Sequence, residues 1–106
     1  MRRGEVYALP ALRDRRGREQ KGRRYAVIVQ NDAVAYTSTV LFAPTSTSAL
    51  PSLFRPEVAL GGRRTRVLTE QVTSVDRTRL GRRVGRLAAG ELRDLDDALK
   101  LVLGLL

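Results

Sequence analysis

The sequence predicts a mainly β protein, a small barrel or curled sheet that carries one helix at its C-terminal end. Short alternating or apolar segments recur up to residue 87, separated by Pro, Gly and polar turn residues, which is the pattern of successive strands. After residue 90 the apolar residues recur at helical spacing. This order argues against a doubly wound α/β fold. A chain of 106 residues has the size of one domain, which we expect to span 1–106.

The first three strands follow from their patterning. Residues 3–9 alternate and stop at a proline. The nearly continuous apolar run at 25–29 is typical of a central strand buried on both faces. Residues 39–43 form a similar strand, which we expect to close at Pro44. The charged loop at 10–23 is longer than most loops without a function.

The later strands are shorter, and a helix follows them. Strands are expected at 57–60, 65–69, 72–75 and 83–87, with Gly61-Gly62 as a hairpin turn. The residues predicted to form the apolar helix face are Leu92, Leu95, Leu99, Val102, Leu103 and Leu106. Leu101 and Leu105 lie on the other side of this helix and also favour burial, which points to a dimer.

Composition excludes several kinds of site. The chain has no Cys and no His, so disulfides, thiolate and imidazole metal sites, haem and Ser-His-Asp catalysis are excluded. The formal net charge is +9, and every basic residue except Lys21 and Lys100 is Arg. Because the guanidinium fork matches phosphate oxygens, this charge favours a nucleic-acid partner. Codon bias towards Arg, together with solubility, remains an alternative explanation.

Nothing in the sequence predicts a membrane protein. No apolar run approaches the ~20 residues of a membrane span. Pro10 and the charged run 13–21 stand where a signal peptide would have its apolar core. We therefore expect a cytoplasmic protein without membrane association.

Six blocks carry a family resemblance when they are taken in order. They are MRRGEVY at 1–7, EQKG at 19–22, RRYAVIVQND at 23–32, TVLFAPTST at 39–47, EQVTSVD at 70–76, and residues 79–87 with the helix after them. Over nearly the whole chain, these blocks resemble the MazF/PemK family of toxin endoribonucleases, the mRNA interferases of type II toxin–antitoxin systems.

The resemblance implies an SH3-like barrel of the CcdB/PemK kind, working as a homodimer. It implies metal-independent cleavage of single-stranded mRNA at short motifs without a cofactor; attack by the 2′-hydroxyl would leave 2′,3′-cyclic phosphate and 5′-hydroxyl ends. A small acidic antitoxin would hold the enzyme inactive. The sequence departs from the family pattern at four positions, where Arg18, Tyr25, Ser46 and Thr73 replace the family's Ser, Pro, Thr and Arg.

Two residues are carried over as catalytic. Arg24 begins a central strand, which would hold its guanidinium rigidly beside the scissile phosphate. Ser46 stands where the family has its catalytic Thr, just past the expected end of a strand, and its hydroxyl would hydrogen-bond the phosphate or the leaving oxygen. Without the resemblance, the same residues fit an exposed strand-end arginine and a turn serine at least as well.

Further residues are expected to contact RNA. They are Glu19, Gln20, Tyr25, Thr47 and Gln71. The two amides suit the base edges that single-stranded RNA exposes, and Tyr25 suits stacking on a base. Glu19 stays ionised among guanidinium groups, although a solvated ion pair explains it equally well.

Two other functions remain open at this point. The first is a basic barrel that binds nucleic acid without cutting it. The second is a gyrase-inhibiting toxin of the CcdB kind, which shares the barrel. Cleavage of end-labelled RNA in EDTA would separate the three functions.

Overall fold

The computed structural model describes residues 1–10 and 24–105, which form a half-barrel of antiparallel strands with one C-terminal helix. The strands are β1 (Glu5–Leu9), β2 (Arg24–Ile28), β3 (Thr39–Ser46), β4 (Glu57–Leu60), β5 (Arg63–Val67), β6 (Thr73–Asp76) and β7 (Arg83–Arg86). The helix α1 spans Ala89–Leu103. The strand order is β4-β5-β3-β2-β1-β7, with β6 also paired to β3. The predicted fold class is therefore confirmed.

Strand β3 is longer than predicted because it continues through Pro44. Along one edge it pairs with β2; along the other it pairs first with β6 and then, at Thr45 and Ser46, with β5. The carbonyl of Pro44 accepts the N–H of Leu68 at 2.8 Å, so Pro44 faces the point where this edge changes partner. A missing N–H is tolerated there. The expectation that the strand closes at Pro44 was wrong.

Strand β5 is displaced towards the N-terminus relative to the prediction. It spans Arg63–Val67, and the chain then enters a 3₁₀ turn at Thr69–Gln71. The expected strand at 65–69 was wrong at its end because the buried hydroxyl of Thr69 donates to the carbonyl of Phe54. This contact draws the chain out of the sheet.

The sheet buries apolar side chains on both of its faces, as predicted for the central strand. Val27 belongs to a cluster that α1 covers with Leu95 and Leu99. Ala26 and Ile28 point to the opposite face and join a second cluster. The other members of this second cluster are Val40, Phe42 and Leu80. Because β2 is buried on both sides, its first residues have a rigid support.

Helix α1 is fixed at both ends. At its start, Glu91 accepts the N–H of Ala88 and, with its other oxygen, the N–H of Ala59 on the edge strand β4, both at 2.9 Å. At its end, Gly104 adopts the left-handed conformation with φ 70°, which favours glycine. The helix therefore begins and ends at defined residues against the sheet.

The predicted helix face was wrong at one residue. Leu103 is 59% exposed, because eight residues of helix turn it about 80° away from the buried Leu95. Leu101 and Leu105 are 42% and 69% exposed. Leu106 lies outside the described residues. No helix within 1–10 and 24–105 is long and apolar enough to cross a membrane.

Candidate functional site

Arg24 is the first residue of β2, and its side chain folds back towards β3. Its Nε donates to the backbone carbonyl of Thr45 at 3.0 Å. Partial burial lowers the pKa of the Arg24 guanidinium below its ordinary value, yet an arginine remains charged at any physiological pH. The half-buried charge is therefore less solvated than that of a surface arginine, which strengthens its interaction with an anion.

Thr45 was missed by the sequence analysis and holds the start of β2 in place. Its side chain is almost fully buried, and its Oγ1 accepts the N–H of Tyr25 at 3.0 Å. A single threonine thus binds two consecutive residues of β2, Arg24 through its carbonyl and Tyr25 through its hydroxyl. Little in the sequence signals this role, because Thr45 follows Pro44, at which the strand was expected to close.

Ser46 is the last residue of β3, not a residue beyond the strand as expected. It pairs with Arg66 of β5, and it directly follows Thr45, whose carbonyl accepts Nε of Arg24. The Oγ of Ser46 lies 3.3 Å from Oγ of Ser48 and accepts the Ser48 N–H at 3.3 Å. These are long hydrogen bonds, so the hydroxyl can exchange them for a ligand oxygen.

Arg24 and Tyr25 open onto a cavity of about 510 Å³. The end of β1, the turn between β4 and β5, and β7 complete its walls. The residues that line it include Leu9, Arg24, Tyr25, Gly61, Arg82 and Val84. Gly61 has φ 59°, and a Cβ there would lie 2.6 Å from the Tyr25 hydroxyl. Glycine is therefore required both by the turn and by its closeness to Tyr25.

The other expected RNA contacts lie apart from this cavity or outside the described residues. Thr47 is exposed directly after β3, and Gln71 is exposed in the 3₁₀ turn between β5 and β6. Neither residue lines the cavity beside Arg24. Glu19 and Gln20, with the rest of the charged loop at 11–23, are outside the residues that the structure describes.

The residue before Gln71 anchors the loop that follows Ser46. The carboxylate of Glu70 accepts Nη2 of Arg55 at 2.7 Å and Nε at 3.0 Å. Arg55 also donates to the carbonyl of Leu50 at 3.2 Å. The hydrogen bond from Arg55 holds the pKa of Glu70 below its ordinary value. This pair fixes the course of the chain on the C-terminal side of Ser46.

The arginines divide into two groups. Many are engaged in ion pairs or in hydrogen bonds to carbonyl groups; these include Arg3, Arg55, Arg64, Arg66, Arg77 and Arg83. Arg63, Arg82 and Arg86 are exposed and make no side-chain hydrogen bond or ion pair within the described part of the chain. The second group can bind an external anion without first breaking an internal contact.

Known proteins are similar to this chain in sequence and in fold. The PemK-like, MazF-like toxins of type II toxin–antitoxin systems match over residues 2–103. Endoribonuclease MazF9 of Mycobacterium tuberculosis is 36% identical over 116 aligned residues, which cover 99% of this chain and 98% of MazF9. The candidate toxin Rv3098A of the same bacterium is 44% identical over 73 residues, covering 69% of this chain and 68% of that protein.

A solved structure supports the same assignment at the level of the fold. A mycobacterial endoribonuclease in complex with its cognate antitoxin superposes with a TM-score of 0.77 at 23% identity, covering 100% of this chain and 97% of that one. The sequence match extends over nearly all described strands and the helix, as the resemblance predicted. The chain belongs to the family of PemK-like, MazF-like toxins of type II toxin–antitoxin systems.

Proposed function

We propose that the protein is an endoribonuclease toxin that cuts single-stranded mRNA, with Arg24 and Ser46 as its catalytic residues. The observation that carries this proposal is the placement of Arg24. It stands at the start of a strand buried on both faces, and its Nε donates to the carbonyl of Thr45, the residue before Ser46, at 3.0 Å. A guanidinium fixed in this way can act on a phosphate without reorganising during the reaction.

RNA supplies the nucleophile for this chemistry. The 2′-hydroxyl attacks the adjacent phosphorus and forms the new O–P bond of a 2′,3′-cyclic phosphate. The bond to the 5′ oxygen breaks, and this oxygen leaves as a hydroxyl after taking up a proton, while the 2′-hydroxyl proton passes to solvent. No imidazole is available in this chain, so stabilising the charge of the phosphorane provides most of the acceleration.

The two catalytic residues have different tasks. The guanidinium of Arg24 stabilises the negative charge that develops on the non-bridging oxygens, a contribution typically worth about 10²–10³ in rate. The hydroxyl of Ser46 donates to a phosphate oxygen or to the departing 5′ oxygen, in place of its contact with Ser48. Neither task uses a metal ion, and we propose metal-independent cleavage.

Recognition of a short motif is proposed for residues around this centre. Tyr25 offers a ring beside Arg24 for stacking. Thr47 and Gln71, together with Glu19 and Gln20, are proposed to contact bases or sugar–phosphate groups. Single-stranded RNA is the favoured substrate because its base edges are accessible.

The protein's partners are proposed on the same basis. A small acidic antitoxin would compete with RNA for the arginines, and the mycobacterial structural relative is in complex with its own antitoxin. We also propose a homodimer, since Leu101 on α1 and Leu105 just after it expose apolar surface and such surface favours an interface.

The test is cleavage of end-labelled single-stranded RNA in the presence of EDTA. The parent protein is expected to cut at discrete positions and to leave cyclic phosphate ends, whereas Arg24→Ala loses about 10²–10³ of the rate. Arg63→Ala removes an exposed arginine outside the cavity and serves as the matched control. RNA binding without cleavage would favour the binding barrel, and inhibition of gyrase without cleavage would favour the CcdB-like function.

A further inference from the structure

We propose that the cavity between β1, β2 and β7 binds one nucleotide of the substrate, with Arg24 and Arg82 on its phosphate and Tyr25 and Val84 against its base. This inference rests on the proposed function. It adds a binding subsite and assigns Arg82 and Val84 to it. Three features of the structure support this subsite: the backbone presentation of these two residues, the charge of the cavity and its apolar lining.

An irregularity in β7 presents Arg82 and Val84 to the cavity. The pairing with β1 runs from Glu5 opposite Arg86 to Val6 opposite Gly85 and then shifts, so that Tyr7 is opposite Arg83. Because of this shift, Val84 has no residue opposite it on β1 and forms a β-bulge. Bulges bend a strand and redirect its side chains, and they are frequent beside binding sites. Here the bulge leaves Val84 41% exposed on the wall of the cavity.

The backbone of Arg82 is fixed although its side chain makes no contact of its own. The N–H of Ala8 donates to the Arg82 carbonyl at 2.9 Å, and the N–H of Gly81 donates to the Ala8 carbonyl at 2.8 Å. A Cβ on residue 81 would lie 2.9 Å from Cβ of Ala8, so glycine is required for this close approach. The position of Arg82 is thus set by β1, and its guanidinium is available to a ligand.

The charges of the cavity select an anion. Arg24 and Arg82 both line it, and none of its described lining residues is acidic. Arg82 is exposed and has no side-chain partner among the described residues, so it brings to this opening a positive charge that an external anion can bind. A phosphate provides several oxygens for this purpose, and guanidinium groups bind phosphate with paired, charge-assisted hydrogen bonds.

The rest of the lining selects a ligand with a flat apolar part. Leu9, Tyr25 and Val84 line the cavity together with the two arginines. Tyr25 is partly buried against the main core cluster, and Gly61 leaves room for its hydroxyl. A volume of about 510 Å³ is within the range of small-ligand sites. A nucleotide joins a phosphate to a flat base at this scale. An acidic peptide would satisfy the charges but would leave the aromatic wall without a stacking partner.

The experiment measures binding separately from cleavage. The probe is a fluorescently labelled single-stranded oligonucleotide of mixed sequence with 2′-deoxy sugars throughout, which cannot undergo attack by a 2′-hydroxyl. Its affinity is measured by anisotropy for the parent, for Arg82→Ala and for the matched control Arg86→Ala. Arg86 also lies on β7, is exposed and lacks a side-chain partner in the described structure, but it does not line the cavity.

Arg82→Ala is expected to weaken binding about tenfold or more, the size of one lost charge-assisted hydrogen bond. It should also reduce the slope of log affinity against log salt by about 0.7, the value for one phosphate contact on a single strand. In cleavage of RNA, the loss should appear mainly in KM. Equal effects of Arg82→Ala and Arg86→Ala would overturn the proposal, because only general attraction would then be at work.

A second pair of variants tests the apolar wall. Val84→Glu places a carboxylate in the cavity and is expected to weaken binding of the oligonucleotide at least as much as Arg82→Ala does. Val84→Thr is expected to keep the affinity within about threefold of that of the parent. Thermal unfolding of both variants serves as the control that they fold. A glutamate-rich peptide could instead displace the probe, with Arg82→Ala weakening binding of the peptide but not of the oligonucleotide. That result would assign the cavity to an acidic peptide and overturn the proposal.

The two proposals fail in different ways. A parent protein that binds the deoxy probe through Arg82 but never cuts RNA supports the nucleotide subsite and contradicts the nuclease function. A protein that cuts RNA and depends on Arg24, but for which Arg82→Ala matches Arg86→Ala, supports the nuclease function and contradicts the subsite.

Discussion

The buried hydroxyl of Thr45 accepts the backbone N–H of Tyr25 at 3.0 Å. This contact occupies the position at which β2 and β3 would otherwise continue their backbone ladder, next to the pairing of Ala26 with Pro44. The carbonyl of the same threonine accepts Nε of Arg24. The candidate catalytic arginine therefore has its backbone neighbour and its side chain fastened to one residue.

Replacing Thr45 by Val is expected to destabilise the protein, because the hydroxyl that accepts the Tyr25 N–H is removed while the shape of the side chain is kept. Leaving a buried N–H unsatisfied typically costs about 1–3 kcal/mol. Urea unfolding should show a lower midpoint with an unchanged slope. Thr45→Ser keeps the hydroxyl and should recover most of the loss of stability.

The same variants test whether Thr45 positions Arg24. If it does, Thr45→Val lowers kcat for RNA cleavage more than it changes KM, and Thr45→Ser restores kcat. A Thr45→Val protein that is destabilised but retains the kcat of the parent would show that Thr45 has a structural role alone.

Ser46 is expected to contribute a hydrogen bond to the reacting phosphate. Ser46→Ala should lower the cleavage rate by up to about 10², the lower end of what one such donor provides. Ser46→Thr should keep or raise activity, since threonine has a hydroxyl and favours the strand conformation found here. Single-turnover cleavage measures both effects.

The control for Ser46 is Ser48, whose hydroxyl lies 3.3 Å from that of Ser46. Ser48→Ala is expected to leave the rate unchanged. If Ser46→Ala and Ser48→Ala change only the melting temperature, and Ser46→Thr matches the parent rate, then Ser46 serves the turn and has no catalytic role.

The pair of Glu70 and Arg55 is expected to order the loop after Ser46. Glu70→Gln removes the charge from a contact in which two nitrogen atoms of Arg55 approach one carboxylate. Hydrogen exchange of the amide of Arg55, which donates to the Ser52 carbonyl at 3.0 Å, should become faster. Asp96→Asn is the control because its ion-pair partner is Arg3, which is not part of this loop, and it should leave this exchange unchanged.

The apolar pattern of the sequence predicted the central strand, because a strand buried on both faces needs consecutive apolar residues. In β2 every residue from Ala26 to Ile28 is apolar and buried. The length of β3 could not be predicted in the same way. A proline usually ends a strand. Pro44 is tolerated here only because its nitrogen faces the point where β3 changes its pairing partner from β6 to β5. That arrangement is a property of the assembled sheet, not of the local sequence.

The residues of the candidate site were predicted unevenly for a similar reason. Arg24 was predicted through the family resemblance, whereas Thr45 and Arg82 were not predicted, since the roles considered for them depend on contacts across strands. The block Gln30-Asn31-Asp32 carries the family resemblance, but its side chains serve the turn after β2. Gln30 accepts the Leu41 N–H at 3.0 Å, Asn31 that of Ala33 at 2.8 Å, and Asp32 that of Arg3 at 2.7 Å.

The stability of the protein is expected to depend on pH through Glu5. This carboxylate is only 9% exposed and accepts the Arg2 N–H at 2.6 Å and the Tyr7 hydroxyl at 3.1 Å, with Arg83 Nε also at 3.1 Å. The hydrogen bond from Arg2, aided by Tyr7 and Arg83, holds the pKa of Glu5 below its ordinary value despite burial. The folded state therefore favours the charged form.

Because the folded pKa of Glu5 lies below its unfolded value, the stability that Glu5 provides is fully present above the unfolded pKa, near 4.5. It is lost as the pH falls through the folded pKa. Glu5→Gln is expected to be less stable than the parent at pH 7, and the difference should shrink below about pH 4.5 as the parent loses the charge. Urea unfolding of both proteins between pH 3 and pH 7 measures this difference. A difference that stays constant across the whole range would show that Glu5 acts by packing and not through its charge, because an uncharged contact does not respond to protonation of the carboxylate.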